Sequence, residues 1–403
     1  MSRGRKVDTM EIKEVVVVGM ARSPIGNFGG ALSSVPAVEL ATTVARAAVE
    51  RAGVDPKEIN EVTLGTVYKH GMKGNPARQV QIALGIPVEG AACTVEQQCA
   101  SSLRALEIAV QSIQLGKTSA ALVCGVESMS NVPHLMLGLR KGVKLGPTKV
   151  EDALQYDALI DVFSGESIMR TAENVAERWH VSRQAQDEYA LLSQQRAADA
   201  IEAGRFKDEI VPIEVKTRKG VTLVDTDEHP RRTTMEELSA LRPAFMKDGT
   251  VTAGNASGIN DGASAAVIMS ADKAKELGLK PLVRILSTAT VGVAPEIMGV
   301  GPIYAIPKAI EDAGLKQADI DYYEINEAFA AQVVPCLREL NIPLDKVNAN
   351  GSGIALGHPV GMTGLRLMIS GYYELKRRGG RYGCGSLCAG GGPAMAVVFE
   401  ALN

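Results

Sequence analysis

The chain repeats itself at long range, and that limits its fold more than any other feature does. Ala48-Val-Glu-Arg-Ala-Gly53-Val-Asp-Pro-Lys-Glu-Ile59 is echoed by Ala309-Ile-Glu-Asp-Ala-Gly314-Leu-Lys-Gln-Ala-Asp-Ile320, each residue 261 positions after its match. A second echo, Leu122-Val-Cys124-Gly125 against Ser386-Leu-Cys388-Ala389, follows in the same order at an offset of 264. Two echoes at nearly one spacing predict a single unit used twice. The pattern inside the first copy says what that unit is. Residues 39–51 read as a helix ended by Gly53 in the C′ position, and Val62-Thr-Leu64 as a strand. Leu103, Leu106, Val110 and Ile113 share a helical face closed by Gly116, and Leu122-Val-Cys124 restarts a buried strand. Such alternation is an α/β signature. The β-branched run Val15-Val-Val-Val18 has the pattern of a strand buried on both faces of a parallel sheet.

Between the halves the composition changes. Residues 130–254 hold the single Trp (Trp179), many charges and a long polar helical pattern over 182–204 in which Tyr189, Leu192 and Arg196 share a face. The expected organisation is a first half over 1–129, an inserted loop domain over 130–254 supplying substrate contacts, completion of the first half over 255–280, and a second half over 281–403. Large insertions on such scaffolds often carry binding residues.

Composition removes several functions. With 43 Lys and Arg against 46 Asp and Glu among 403 residues, and no long basic run, nothing has the electrostatic footprint of a nucleic-acid binder. Sixteen aromatic residues are too few for stacking platforms to dominate. No apolar stretch approaches the ~18 residues of a membrane span, and residues 1–10 lack the apolar core of a secretory signal. A cytoplasmic, reducing location follows as the expectation. The six Cys (93, 99, 124, 336, 384 and 388) are then to be judged as thiols.

Four clusters carry chemistry. Asn348-Ala-Asn-Gly-Ser-Gly-Ile-Ala-Leu-Gly-His358-Pro-Val-Gly-Met-Thr-Gly364 surrounds one His with glycines, so backbone passes close to a titratable ring or to a ligand. Cys384-Gly-Ser-Leu-Cys388-Ala-Gly390-Gly-Gly-Pro393 ends a strand in a thiol followed by amides able to converge on an anion. Cys99 precedes an amphipathic helix, where the macrodipole favours thiolate. Tyr323-Glu-Ile-Asn326-Glu-Ala-Phe-Ala330 hands Asn and Glu from a strand into a helix. Each has a plainer reading: a glycine-rich turn, a buried thiol, a buried thiol again, and a capped helix start. Cys384-x3-Cys388 lacks the second pair and the neighbouring His of a metal site. Gly116-Lys-Thr118 is rejected as a phosphate loop because Gln111 stands where its first Gly belongs.

Taken in order, Cys99, Asn326-Glu-Ala-Phe-Ala, Gly357-His358-Pro and Cys388-Ala-Gly-Gly-Gly resemble the thiolases, the acyltransferases that make or break 3-oxoacyl-CoA. Thr171-Ala-Glu-Asn174, Leu241-Arg-Pro-Ala-Phe245 and Val251-Thr-Ala-Gly-Asn-Ala-Ser-Gly-Ile-Asn-Asp-Gly262 extend the resemblance over nearly the whole chain. It implies two βαβαβαββ halves in a five-layered αβαβα fold with an inserted loop domain. It implies Cys99 as the acylated nucleophile, His358 as its base and Cys388 as general acid/base. Asn326, through a water and with His358, would form one oxyanion hole, and the N–H groups of Cys99 and Gly390 a second. Ser257 and Arg231 match CoA contacts. No resident cofactor is implied, CoA and acyl-CoA being substrates, and the expected assembly is a homodimer or tetramer, with or without an accessory subunit.

Three positions depart from the family pattern. Ser102 replaces the usual Gly after the nucleophile. Gly165-Glu-Ser-Ile-Met169, before Arg170, replaces Gly-Tyr-His-Met-Gly. Pro393 stands where Met often does. The second departure suggests a branched, dicarboxylic or aromatic acyl group, benzoylsuccinyl-CoA being one example, with Arg170 as partner for a substrate carboxylate. The alternatives are an acetoacetyl-CoA thiolase of ordinary specificity and a non-catalytic acyl-CoA-binding subunit. A ketosynthase, which lacks the second active-site Cys, is disfavoured by Cys388.

Overall fold

The structure is a computed structural model that describes residues 12–218 and 220–402; the expectation for residues 1–10 lies outside them. The valine run becomes strand β1 (Val15–Arg22), buried along all eight residues. Helix α1 (Ala37–Ala52) ends as its sequence predicts, at Gly53 with φ +66° and its N–H on the carbonyls of Glu50 and Val49. Then come β2 (Glu61–Gly65), α2 (Pro76–Ala83), β3 (Ala91–Val95), α3 (Ser101–Gln114) and β4 (Ala120–Ser128). After the insert, β5 (Asn260–Ser270) returns to the first half. The second half supplies β6 (Val283–Gly292) and β7 (Tyr322–Ile325), followed by β8 (Tyr382–Cys388) and β9 (Pro393–Ala401).

All nine strands lie on one continuous path in the order β7-β8-β9-β6-β1-β5-β4-β2-β3, with the two-residue strand Gly26–Asn27 added to β5. The parallel pairs are β2 with β3, β2 with β4, and β7 with β8. The expectation for Val15-Val-Val-Val18 needs correction here. β1 is buried on both faces, yet it pairs antiparallel with β5 on one side and β6 on the other. Helices cover both faces of the sheet, and that burial, not strand direction, sets the unbroken apolar run.

The helices make the layers. Leu40, Val44 and Val80 of α1 and α2 cover the outer face of the first half. Ala305, Ile306, Val333 and Leu337 of α6 (Pro302–Asp312) and α7 (Ala330–Glu339), as numbered after α4 and α5 of the insert below, cover the outer face of the second. Between the two sheet halves, α3 and α8 (Val360–Arg378) pack together, Leu103 and Leu106 meeting Leu365 and Met368 against Val123, Leu387 and Met395. This is the αβαβα arrangement, and its middle layer is formed by the two helices that follow Cys99 and His358. Fully burying one such leucine contributes about 1.5–3 kcal/mol, so the middle layer fixes how those helices lie.

The insert carries α4 (Met169–Arg178), α5 (Arg183–Glu202) and a hairpin of Ile213–Thr217 with Gly220–Val224. Ser182 caps α5 by accepting from the Ala185 N–H at 3.2 Å. Arg22, fully buried at the end of β1, ties the insert down. Its Nε lies 2.6 Å from Glu209, its two Nη atoms 2.7 and 2.9 Å from Asp227, and Phe206 lies under the guanidinium.

Candidate active site

Asn348 sets one wall. Its side chain holds the Ile325 N–H and the Ile325 carbonyl at 2.8 Å each, gripping the end of β7, and the Asn326 N–H donates to the Ser386 carbonyl at 2.9 Å. Asn326 is thereby fixed with its Nδ2 3.3 Å from His358 Nε2. The capped-helix reading of this stretch is not met, because α7 begins at Ala330 after Phe329 with no side-chain cap. Glu327 instead turns back to accept from the hydroxyls of Tyr189 (3.0 Å) and Ser193 (2.6 Å), Asn348 Nδ2 (3.0 Å) and the Ile354 N–H (3.2 Å).

His358 is buried and held from three directions. Its N–H donates to Asn260 Oδ1 at 3.0 Å, a close approach that only Gly357 permits. A Cβ there would lie 2.6 Å from the Asn260 amide, and φ is +99°. Its Nδ1 lies 2.7 Å from Thr363 Oγ1, whose own hydrogen goes to the Pro359 carbonyl at 2.9 Å. That hydroxyl has one hydrogen and it is already committed, so Nδ1 must be the donor. The lone pair is left on Nε2, facing Asn326. Burial, reinforced by the positive charge of Arg366, holds His358 down at about 3. The ring is therefore neutral across ordinary pH and can take a proton on Nε2.

The thiols sit on the opposite wall. The backbone N–H groups of Gly390 and of Cys99 itself lie near the Cys99 sulfur and favour its thiolate. The expectation that Cys99 favours thiolate is not met. Those donors lower its pKa, but burial outweighs them and holds the partly exposed Cys99 up at about 12, so the resting group is a thiol. Cys388, buried at the end of β8, is pushed up by burial and then by charge on nearby Cys99. Cys99 also packs with Tyr68, Leu154 and Val360 in one apolar cluster, which brings it beside the residues that follow His358. Cys384 faces a different core from Cys388, and among the described residues no group of His, Cys, Asp or Glu could hold a metal.

The insert closes the rim. Residues 155–168 fold back on themselves, with Ile160 bridging Ser167, the Ile168 N–H on the Leu159 carbonyl at 2.8 Å, and Gly165 at φ +72° in the turn. A Cβ on Gly390 would meet Gln98 and Ile168 at 3.5 Å, and one on Gly391 would meet Phe163 at 3.4 Å. Arg170 does not face this space as an unpaired charge. Its Nη1 rests 2.5 Å from Met246 Sδ and its Nε 3.9 Å from the Glu166 carboxylate. Ser257 is half-buried, with its N–H on the Ala328 carbonyl at 2.9 Å. Exposed Arg231 reaches the same loop through the Ala253 carbonyl at 2.7 Å.

Sequence reasoning named Cys99, Asn326, His358, Cys388 and Gly390, and the fold gathers them. It missed Thr363 and Asn260. Thr363 and Asn260 lay inside stretches already singled out, and only the spacing from His358 to a hydroxyl five residues on could have marked the former.

Comparison with known proteins agrees with this arrangement. The thiolase N-terminal domain matches residues 15–272 and the thiolase C-terminal domain residues 279–401. The chain is 45% identical to the acetyl-CoA acetyltransferase of Syntrophomonas wolfei, over 97% of this chain and 100% of that one. It is 48% identical to the acetyl-CoA acetyltransferase of Shinella zoogloeoides, over 96% and 99%. Among solved structures, the Syntrophomonas wolfei acetyl-CoA acetyltransferase superposes with a TM-score of 0.96 at 49% identity, covering 97% and 100% of the two chains. Human mitochondrial 3-ketoacyl-CoA thiolase gives 0.94 at 42%, covering 97% and 99%. The chain belongs to the thiolase family, and it is an acyltransferase.

Proposed function

We propose that this thiolase transfers acetyl groups between CoA thioesters, cleaving or forming acetoacetyl-CoA through an acetyl-Cys99 intermediate. The observation that carries the reading is that the loop following Cys388 brings the Gly390 backbone near Cys99, where its N–H favours the thiolate, while Asn326 lies 3.3 Å from His358 Nε2. A donor placed there stabilises the thiolate first, and then the oxygen that becomes negative beside the new C–S bond. In cleavage, Cys99 gives its proton to His358 Nε2 and its sulfur attacks the 3-oxo carbon. The C2–C3 bond breaks, leaving acetyl on Cys99 and an acetyl-CoA enolate that takes a proton from Cys388. The CoA thiol then gives its proton to Cys388 and attacks the acetyl-Cys99 carbonyl; its C–S bond forms as the bond to Cys99 breaks, and the proton held on His358 returns to the Cys99 sulfur. Synthesis is the reverse, Cys388 removing the α-proton. A thiol nucleophile suits thioester exchange because it is also a good leaving group. Ser257, and Arg231 that reaches its loop through the Ala253 carbonyl, would contact the CoA moiety.

Small acyl specificity is favoured over the branched, dicarboxylic or aromatic reading. Relatives matching over almost their whole length are acetyl-CoA acetyltransferases, and Arg170 already faces Glu166 and Met246 instead of waiting for a substrate carboxylate. The test is mass spectrometry of the protein after mixing with acetyl-CoA, joined to turnover of a series of 3-oxoacyl-CoA thioesters. Acetylation on the peptide containing Cys99, absent in Cys99→Ala, is expected, with acetoacetyl-CoA the best substrate. No acylation by any thioester would support the non-catalytic reading, and faster cleavage of an aryl or branched substrate would overturn the acetyl assignment.

A further inference from the structure

We propose that Ser102 and Glu127 are positioning residues that splice the start of α8, and with it His358, onto the half of the molecule that carries Cys99. The inference rests on the reading of His358 as the base for Cys99. It concerns how two groups from different halves are kept in register, a task to which no role has been given so far.

Ser102 lies three residues after Cys99, in the first turn of α3, and is fully buried. Its hydroxyl donates to the Met362 carbonyl at 3.1 Å and accepts from the Leu365 N–H at 3.0 Å. Both are backbone groups of the first turns of α8, which starts two residues after His358. The fold makes room for this side chain deliberately. A Cβ on Gly125 would lie 2.5 Å from Ser102 Cβ, and one on Gly364 would lie 3.2 Å from its Oγ. Ser264 on β5 donates to the same Met362 carbonyl at 3.0 Å, so that carbonyl is held by two hydroxyls from the first half.

Glu127 acts on the same turn from β4. One carboxylate oxygen accepts from Thr66 Oγ1 (2.9 Å) and the Tyr68 N–H (3.1 Å). The other accepts from the Val67 N–H (2.9 Å) and the Gly361 N–H (2.9 Å). Pro359 offers α8 no side-chain cap, so one of the orphan N–H groups at the helix start is satisfied by a residue 234 positions away. Three backbone N–H groups and one hydroxyl thus converge on this carboxylate. The loop it grips contains Tyr68, whose hydroxyl reaches the Leu154 carbonyl at 2.9 Å and whose ring shares a cluster with Cys99 and Val360.

The grip passes to the ring through short links. Met362 and Leu365 bracket Thr363, and Thr363 receives the Nδ1–H of His358. A shift of this turn by a fraction of an ångström moves Nε2 relative to Cys99 without touching the CoA loop at Ser257. Positioning losses of this kind fall on the chemical step.

The experiment compares wild type, Ser102→Ala, Ser102→Gly, Glu127→Gln and the double variant Ser102→Ala/Glu127→Gln in acetoacetyl-CoA thiolysis, with melting temperatures alongside. Ser102→Ala keeps the shape and removes only the hydroxyl. Its kcat is expected to fall about five- to twentyfold, with KM for acetoacetyl-CoA within about twofold. Ser102→Gly should show the same kcat deficit if the hydroxyl matters, and a clearly larger one if only packing does, which would count against the proposal. Because both residues hold one turn, the double variant should lose less than the product of the single losses. A Ser102→Ala enzyme with kcat within twofold of wild type, or a kcat loss that follows the fall in melting temperature across all variants, overturns the inference. Failure of wild type to acylate Cys99 would instead overturn the catalytic reading itself, so the two failures are told apart.

Discussion

At the scale of single residues the site works by removing choices. His358 could present either nitrogen, but the hydroxyl of Thr363, committed to the Pro359 carbonyl, admits only Nδ1–H as its partner. Replacing Thr363 by Val keeps the shape and withdraws the acceptor. The expected result is a fall in kcat of about 10- to 100-fold, with the melting temperature lowered by no more than a few degrees, since a misassigned tautomer costs catalysis far more than folding. Steady-state kinetics with acetoacetyl-CoA, and the nitrogen chemical shifts of the ring, would check it; an unchanged kcat would show that the tautomer is set elsewhere. The side chains proposed to react, Cys99, His358 and Cys388, were legible in the sequence as motifs, and the resemblance to thiolases suggested their roles. Their states were not legible. A helix N-terminus argues for thiolate, and only the surrounding burial shows that Cys99 rests as a thiol.

At the scale of elements, glycine serves two different ends that sequence alone runs together. In the first turn of α8, a Cβ on Gly361 would lie 2.5 Å from the Val126 carbonyl and 2.7 Å from both Glu127 Oε2 and Thr66 Cα. Two of those neighbours are backbone and cannot yield. Gly361→Ala is therefore expected to destabilise the protein by about 1–3 kcal/mol or to leave it insoluble, read as a drop in melting temperature. After β8, a Cβ on Gly390 would find only side chains at 3.5 Å and an unstrained backbone. Gly390→Ala should fold with a melting temperature within about 2 °C of wild type. Gly390→Val, filling the space between Gln98 and Ile168, should reduce turnover at least about a hundredfold while still folding. If Gly390→Ala fails to fold, this glycine is a packing device. Helix ends such as Gly53 and Gly116 were readable because their cause is local. Strand direction at Val15-Val-Val-Val18, and the part played by Ser102, were not, since both are decided by partners some 250 residues away.

At the scale of the whole molecule, the insert is joined to the first half through a charge cluster with no access to water. Arg22 meets Glu209 and Asp227 with side chains 0 to 2% exposed. Removing one member of such a cluster leaves the others buried and uncompensated. Arg22→Ala is expected to cost about 3–5 kcal/mol, measured by urea unfolding, whereas Lys308→Ala, which breaks the exposed pair with Asp312, should leave the unfolding midpoint unchanged. A loss below 1 kcal/mol for Arg22→Ala would mean that packing against Phe206 and the adjoining loop holds the insert instead. The repeat at 261 residues announced two related units, and the resemblance to thiolases, not the repeat, implied five layers. The repeat did not announce that the sheet would run unbroken from one unit into the other through β1.

That continuity bears on how the protein is made. Strand β1 lies near the middle of the finished sheet, and its two neighbours begin at Asn260 and Val283, far later in synthesis. A chain synthesised at ~5–20 residues per second exposes eight core residues without a partner for on the order of ten seconds or more before β5 emerges. A stretch fully enclosed in the native state is therefore left without its strand partners for most of synthesis, and wrong pairing of β1 is a hazard of this topology.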